Sequence, residues 1–197
     1  MFAQVIQGRT DDAAGLWNRM EEWDRELKPG AEGFLGSTVG VSDDGEFITI
    51  ARFESEEAAK RNSDRPEQSQ WWAETEELFD GEVRFYDSTE VDLTLGGGSD
   101  DAGFVQVIQG RVKDKQRLSE LEAQGEAWMQ ENRPDVIGGV RVWQGEEFSE
   151  FIYFTSEEEA RVGEKKEAPD MGSEEEWAGI MEDVKFIDIR NPFFSSP

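Results

Sequence analysis

The chain of 197 residues carries 46 Asp and Glu against 20 Lys and Arg, a net charge of −26, and it has no His and no Cys. Those absences exclude a disulfide framework, a cysteine- or histidine-built zinc site, a thiolate nucleophile and a Ser-His-Asp triad. The acidic field excludes the cationic footprint that nucleic acid needs, while 7 Trp and 13 Phe supply material for a core.

From the N-terminus, residues 2–9 are rich in β-branched and aromatic side chains and read as a strand. Ala13, Leu16, Trp17, Met20, Trp23 and Leu27 then recur at helical spacing, with Asp11 or Asp12 as cap and Pro29-Gly30 as stop. Strands follow over about 34–41 and 46–53, joined by Ser42-Asp43-Asp44-Gly45, whose Asp-Gly pair suits a tight hairpin. The same turn chemistry accounts for the paired acids there, and no calcium-loop pattern surrounds them, so no metal site is expected. A helix opens at Ser55-Glu56-Glu57, and Pro66 opens another through Trp71, Trp72 and Phe79. A last strand lies near 82–92.

Leu95-Gly96-Gly97-Gly98-Ser99-Asp100-Asp101 reads as a flexible linker, since neither GK[ST] nor GxGxxG accompanies its glycines. Beyond it the series starts again. Gln4-Val5-Ile6-Gln7-Gly8-Arg9 recurs unchanged as Gln106 to Arg111, and three later segments follow at nearly the same offset. The second copy has a helix after Asp114 through Leu118, Leu121, Gly125, Trp128 and Met129, a Gln144-Gly145 turn, helices at Ser156 and Ser173, and a closing strand near 183–190.

The order β-α-β-β-α-β is that of a ferredoxin-like unit, whose sheet is covered by helices on one face and bare on the other. A second copy is the natural cover for the bare face. The expected fold is therefore α+β: two ferredoxin-like repeats, residues 1–93 and 103–197 about a linker at 94–102, closing into one α/β barrel as a pseudo-dimer. A chain that supplies both copies is expected to be a monomer. No stretch nears the roughly 18–20 apolar residues of a bilayer span and Met1 leads straight into a strand, so a cytoplasmic protein without a membrane partner is expected. The acidic residues, spread over both halves, read as a solvated surface.

FAQVIQGR and FVQVIQGR, the Trp-bearing first helix, the Gly-led strand GFLGSTVGV, the ITIARFESEEAA and FIYFTSEEEA segments and Arg65-Pro66-Glu67-Gln68 ahead of Trp71-Trp72 together resemble a known group. It is the dimeric α/β-barrel superfamily, specifically its antibiotic biosynthesis monooxygenase-like domains. The resemblance spans nearly the whole chain. It implies a monooxygenase-like protein that binds a small hydrophobic or aromatic molecule, acting as an oxygenase with no cofactor. The alternative is a non-catalytic ligand-binding or structural protein on the same fold. The haem-degrading branch of the superfamily relies on an axial His, which this chain lacks.

Cofactor-free oxygenases place Asn, Trp, Tyr and Arg side chains around a phenolic substrate, and the resemblance implies Asn62, Trp72, Tyr86 and Arg52 as the catalytic candidates. Each has a plainer reading: Trp72 as a helix-face core residue with Trp71 as its partly exposed neighbour, Arg52 as a salt-bridge partner, Tyr86 as a core aromatic. In the second half Tyr153 stands for Arg52, Ile187 for Tyr86, and Ala168-Pro169-Asp170-Met171-Gly172-Ser173 for the RPEQSQWW run, so at most one half is expected to carry the site. Gln4 and Gln7, like Gln106 and Gln109, lie on opposite faces of a strand and are expected to be hydrogen-bonded within the fold or to line a pocket.

Overall fold

Antiparallel strand pairing organises the chain, described in a computed structural model for residues 1–166 and 173–197. It falls into two units, Met1–Val91 with Ile189–Pro197, and Asp92–Asp188. The first contains β1 (Phe2–Arg9), α1 (Ala13–Glu22), β2 (Phe34–Val41), β3 (Glu46–Phe53), α2 (Glu56–Ser63), α3 (Pro66–Glu76) and β4 (Arg84–Ser88). The second contains β5 (Val91–Thr94), β6 (Phe104–Val112), α4 (Lys115–Asn132), β7 (Val136–Gln144), β8 (Glu147–Phe154), α5 (Glu157–Gly163), α6 (Glu174–Ile180) and β9 (Met181–Ile189). A last strand, β10 (Phe193–Ser195), returns to the first sheet.

The sheets run β10-β2-β3-β1-β4 and β5-β7-β8-β6-β9. Stripped of its outermost added strand, each shows the same ferredoxin-like order, so the chain is two ferredoxin-like repeats of α+β type. The local chemistry follows the sequence. Asp12 accepts from the Gly15 amide at 2.8 Å and Asp114 from the Arg117 amide at 2.9 Å, each starting a helix. Ser55 and Ser156 do the same for α2 and α5, at 3.2 Å each. Gly45 holds φ +81 in the hairpin turn, which a Cβ would strain. After Glu22 the first helix widens into a π turn over Trp23–Leu27 and ends in a 3-10 turn at Lys28–Gly30, where Pro29 stops it.

The closing strand of the first repeat is shorter than expected. It stops at Ser88, and Val91–Thr94 turns away to become the outer strand of the second sheet. The division between units therefore falls at residue 91 rather than inside the glycine run. That run is not a bare tether: Gly97 is buried against β7, where a Cβ on Gly138 would stand 2.1 Å from the Gly97 carbonyl oxygen. Gly138→Ala is expected to destabilise the fold by roughly 1–3 kcal/mol, read from the urea unfolding midpoint.

Alternation along the strands sends Phe2, Gln4, Ile6 and Gly8 to the helix-covered face of the first sheet, opposite Phe53, Ala51, Thr49 and Phe47. Leu16, Met20, Leu27 and Trp71 pack onto that face with Val39 and Phe47. On the other face Ala3, Val5, Ile48 and Ile50 are at most 1% exposed, alongside polar Gln7, Glu46 and Arg52. In the second unit Val112, Leu118, Leu121, Trp143, Phe148 and Ile180 form the matching helix-side core. Among the described residues no helix is long and apolar enough to cross a membrane.

Candidate functional site

The helix-covered face of the first sheet is incompletely filled. Between it and the helices lies a cavity of about 380 Å³, within the usual range of small-molecule sites. Strand register builds its floor in two rows. One runs Phe85, Ile6, Thr49, Val39, Phe193 across β4, β1, β3, β2 and β10; the other runs Gln4, Ala51, Ser37, Ser195. The roof comes from Met20 on α1, Trp23 in the π turn, Asn62 on α2, and Gln68, Trp71 and Trp72 on α3. Among the described residues no charged side chain lines it.

The roof amides are held in definite orientations. Arg65 donates from Nη1 to Asn62 Oδ1 at 2.9 Å and to the Leu27 carbonyl at 3.0 Å. A guanidinium can only donate, so the amide oxygen of Asn62 must face it, and the Nδ2 hydrogens are turned elsewhere. Asn62 is 8% exposed, and among the described residues no acceptor takes its Nδ2. The same logic orients Gln68, whose Oε1 accepts from Trp23 Nε1 at 2.8 Å, and Gln4, whose Nε2 donates to Asp87 Oδ1 at 2.8 Å. Among the described residues the amide N–H groups of Asn62 and Gln68, the Trp72 indole N–H and the Gln4 amide oxygen have no hydrogen-bond partner, and all four residues line the cavity.

The two tryptophans exchange their expected places. Trp71 is the buried one, 7% exposed. Its indole donates to the Arg19 carbonyl at 3.0 Å, its own carbonyl accepts from Arg19 Nη2 at 2.9 Å, and the guanidinium lies 5.6 Å from the ring centroid. Trp72 is half-buried and meets Phe85 edge-on at 5.1 Å. The far wall is fastened by the chain end: Ser195 donates to Asp24, and Lys28 lies 2.8 Å from the same carboxylate. Burial acts to raise the Asp24 pKa, but these two hydrogen bonds outweigh it and hold the group below its ordinary value.

Of the four candidates, Asn62 and Trp72 line the cavity, whereas Arg52 and Tyr86 do not. Arg52 pairs in register with Ala3, and Tyr86 with Val5, which puts both on the face turned away from the helices. Among the described residues Arg52 makes no ion pair; its Nη2 reaches the Leu35 carbonyl at 3.5 Å and its Nε is buried without a partner. Tyr86 is half-buried rather than sitting in the core. The parity of Thr49, Ala51 and Phe53 already forbade Arg52 from joining Asn62. The same parity would have found Thr49 and Ser37, which the sequence reading passed over along with Gln68 and Phe193. Gln4 both hydrogen-bonds to a neighbouring strand and lines the cavity, while Gln7 donates to Glu46 at 2.6 Å on the other face. In the second unit Tyr153 and Ile187 are at most 2% exposed; residues 168–172 of the shorter run lie outside the described residues.

No protein-family model matches the sequence, and no curated protein matches it. Solved structures do. A candidate monooxygenase from Lactobacillus acidophilus is 16% identical with a TM-score of 0.71, over 99% of this chain and 96% of that one. A candidate monooxygenase from Fusobacterium nucleatum is 9% identical with a TM-score of 0.73, over 99% and 94%. An anthrone oxidase-like protein is 14% identical with a TM-score of 0.63, over 100% and 94%. At such identities the likeness is one of fold.

Proposed function

We propose that this chain, with the monooxygenase-like fold of those structures, binds a small uncharged aromatic molecule in the first unit's cavity and stabilises its oxygen substituent as an anion through the Asn62 amide. The observation that carries the reading is the Asn62–Arg65 hydrogen bond, which spends the amide oxygen and leaves a fixed N–H donor beside an aromatic roof. Fixed donors at a developing oxyanion act without reorganisation, which is how such a site favours ionised over neutral phenol. An uncharged ligand suits a lining without charged groups in a chain of net charge −26. A substrate acidic enough to lose its proton to solvent would, as the stabilised carbanion, form a C–O bond to O2, which is reduced to a hydroperoxide as it takes a proton back from water, as in a cofactor-independent oxygenase.

The second reading, binding without turnover, is favoured by one feature: the lining includes no side chain suited to take the substrate's proton near neutral pH. Fluorescence of the lining tryptophans during titration with 1-naphthol, and oxygen uptake with anthrone, separate the two. Saturable quenching is expected in the wild type, with affinity reduced about tenfold in Asn62→Ala, the scale of one lost hydrogen bond. Oxygen uptake above the spontaneous rate supports turnover, and binding without uptake supports the second reading. Absence of binding removes both.

A further inference from the structure

The two sheets share one register, so their cavity positions can be compared residue by residue. Ile6, Thr49 and Val39 lie side by side in the first; Ile108, Glu150 and Arg141 lie side by side in the second. Met20, one turn beyond buried Leu16 on α1, corresponds to Glu122, one turn beyond buried Leu118 on α4. Asn62, seven residues after the capping Ser55, corresponds to Gly163, seven after the capping Ser156. Three neutral lining positions have thus become an arginine and two acids, and the donor has no side chain at all.

Those charges meet. Arg141 Nη2 lies 2.5 Å from Glu122 Oε1 and 2.8 Å from Glu150 Oε2, with the Arg141 and Glu150 side chains 14% and 15% exposed. The guanidinium lies 5.4 Å from the Trp143 ring and 5.8 Å from the Phe148 ring. Trp143, at the position of Val41, donates to Asp92 at 2.6 Å, and Ile152 replaces the smaller Ala51. The groups that would have met a ligand bond to one another instead.

We propose that the second unit carries a duplicate of the ligand cavity held shut by the Arg141–Glu150–Glu122 cluster, so that each chain takes up a single ligand, in the first unit. The ligand count rests on the function proposed above; the occlusion is tested separately. Xenon enters dry apolar cavities whatever their natural ligand. Crystals of the wild type under xenon pressure are expected to show the gas beneath α3 in the first unit and none beside Arg141. The variant Glu122→Met/Arg141→Val/Glu150→Thr/Ile152→Ala is expected to admit xenon in both units and to bind a second, weaker equivalent of 1-naphthol. Xenon beside Arg141 in the wild type, or a folded variant with an unchanged second unit, overturns the proposal. If that variant does not fold, the reverse exchange Met20→Glu/Val39→Arg/Thr49→Glu should expel xenon from the first unit, and its retention there overturns the proposal equally. Xenon in the first unit without 1-naphthol uptake sinks the ligand reading and leaves the occlusion supported.

Discussion

Arg141→Val is expected to destabilise the protein by about 3–5 kcal/mol at neutral pH, because it leaves Glu150 and Glu122 together without their shared cation. The loss should depend on pH. Burial pushes the Glu150 carboxyl above its ordinary value of 4.5, with Arg141 opposing that rise. A carboxyl with a raised folded pKa contributes its full stability below the ordinary value and loses it as pH climbs through the folded one. Without Arg141 the rise is unopposed, so the variant should recover stability as pH is lowered from 7 toward 4.5. In the wild type burial works against the Arg141 charge, but hydrogen bonds and charges from Glu122 and Glu150 outweigh it and keep the guanidinium protonated throughout. Urea midpoints of wild type and variant across this pH range provide the check. A loss below 1 kcal/mol with no pH dependence would mean the cluster is solvated.

Asn62→Asp should be the most damaging single change to the cavity. The carboxylate is nearly isosteric, and Arg65 can still donate to it, so the fold is expected to persist. What disappears is the N–H donor, replaced by a negative charge where an oxyanion would form. If the protein turns over anthrone, kcat should fall by about 10²–10³-fold, the cost of one oxyanion donor. If it only binds, 1-naphthol affinity should fall more than in Asn62→Ala, since the alanine removes a donor without adding repulsion. Equal behaviour of the two variants would detach Asn62 from the ligand.

The fold was legible because its signals are local and repeated. Identical QVIQGR segments, Asp and Ser caps and the Asp-Gly turn each fixed an element where it stands. The cavity was harder to read because it depends on side-chain direction. Asn62 and Trp72 share the cavity lining, whereas Arg52 and Tyr86, grouped with them by the resemblance, lie across the sheet, as the two-residue period of the strand requires. On α3 the burial order of adjacent tryptophans was decided by Arg19, a residue 52 positions away that clasps Trp71 at both its indole and its carbonyl. The strand Phe193–Ser195 pairs with residues more than 150 positions earlier and is too short to announce itself. The charged cluster could have been seen by laying one repeat over the other, where Val39, Thr49 and Met20 give way to Arg141, Glu150 and Glu122.

The final strand gives the protein an economy that a gene cut in half would forfeit. A fragment ending near residue 93 would still encode most of the cavity's lining, yet it would lack Phe193 and Ser195, leaving β2 as a naked rung with unpaired amides. Such a fragment should self-associate through that rung and hold aromatic molecules poorly. Supplying residues 191–197 as a separate peptide is expected to restore that edge, so the tailpiece is as much a wall of the cavity as the helices that roof it.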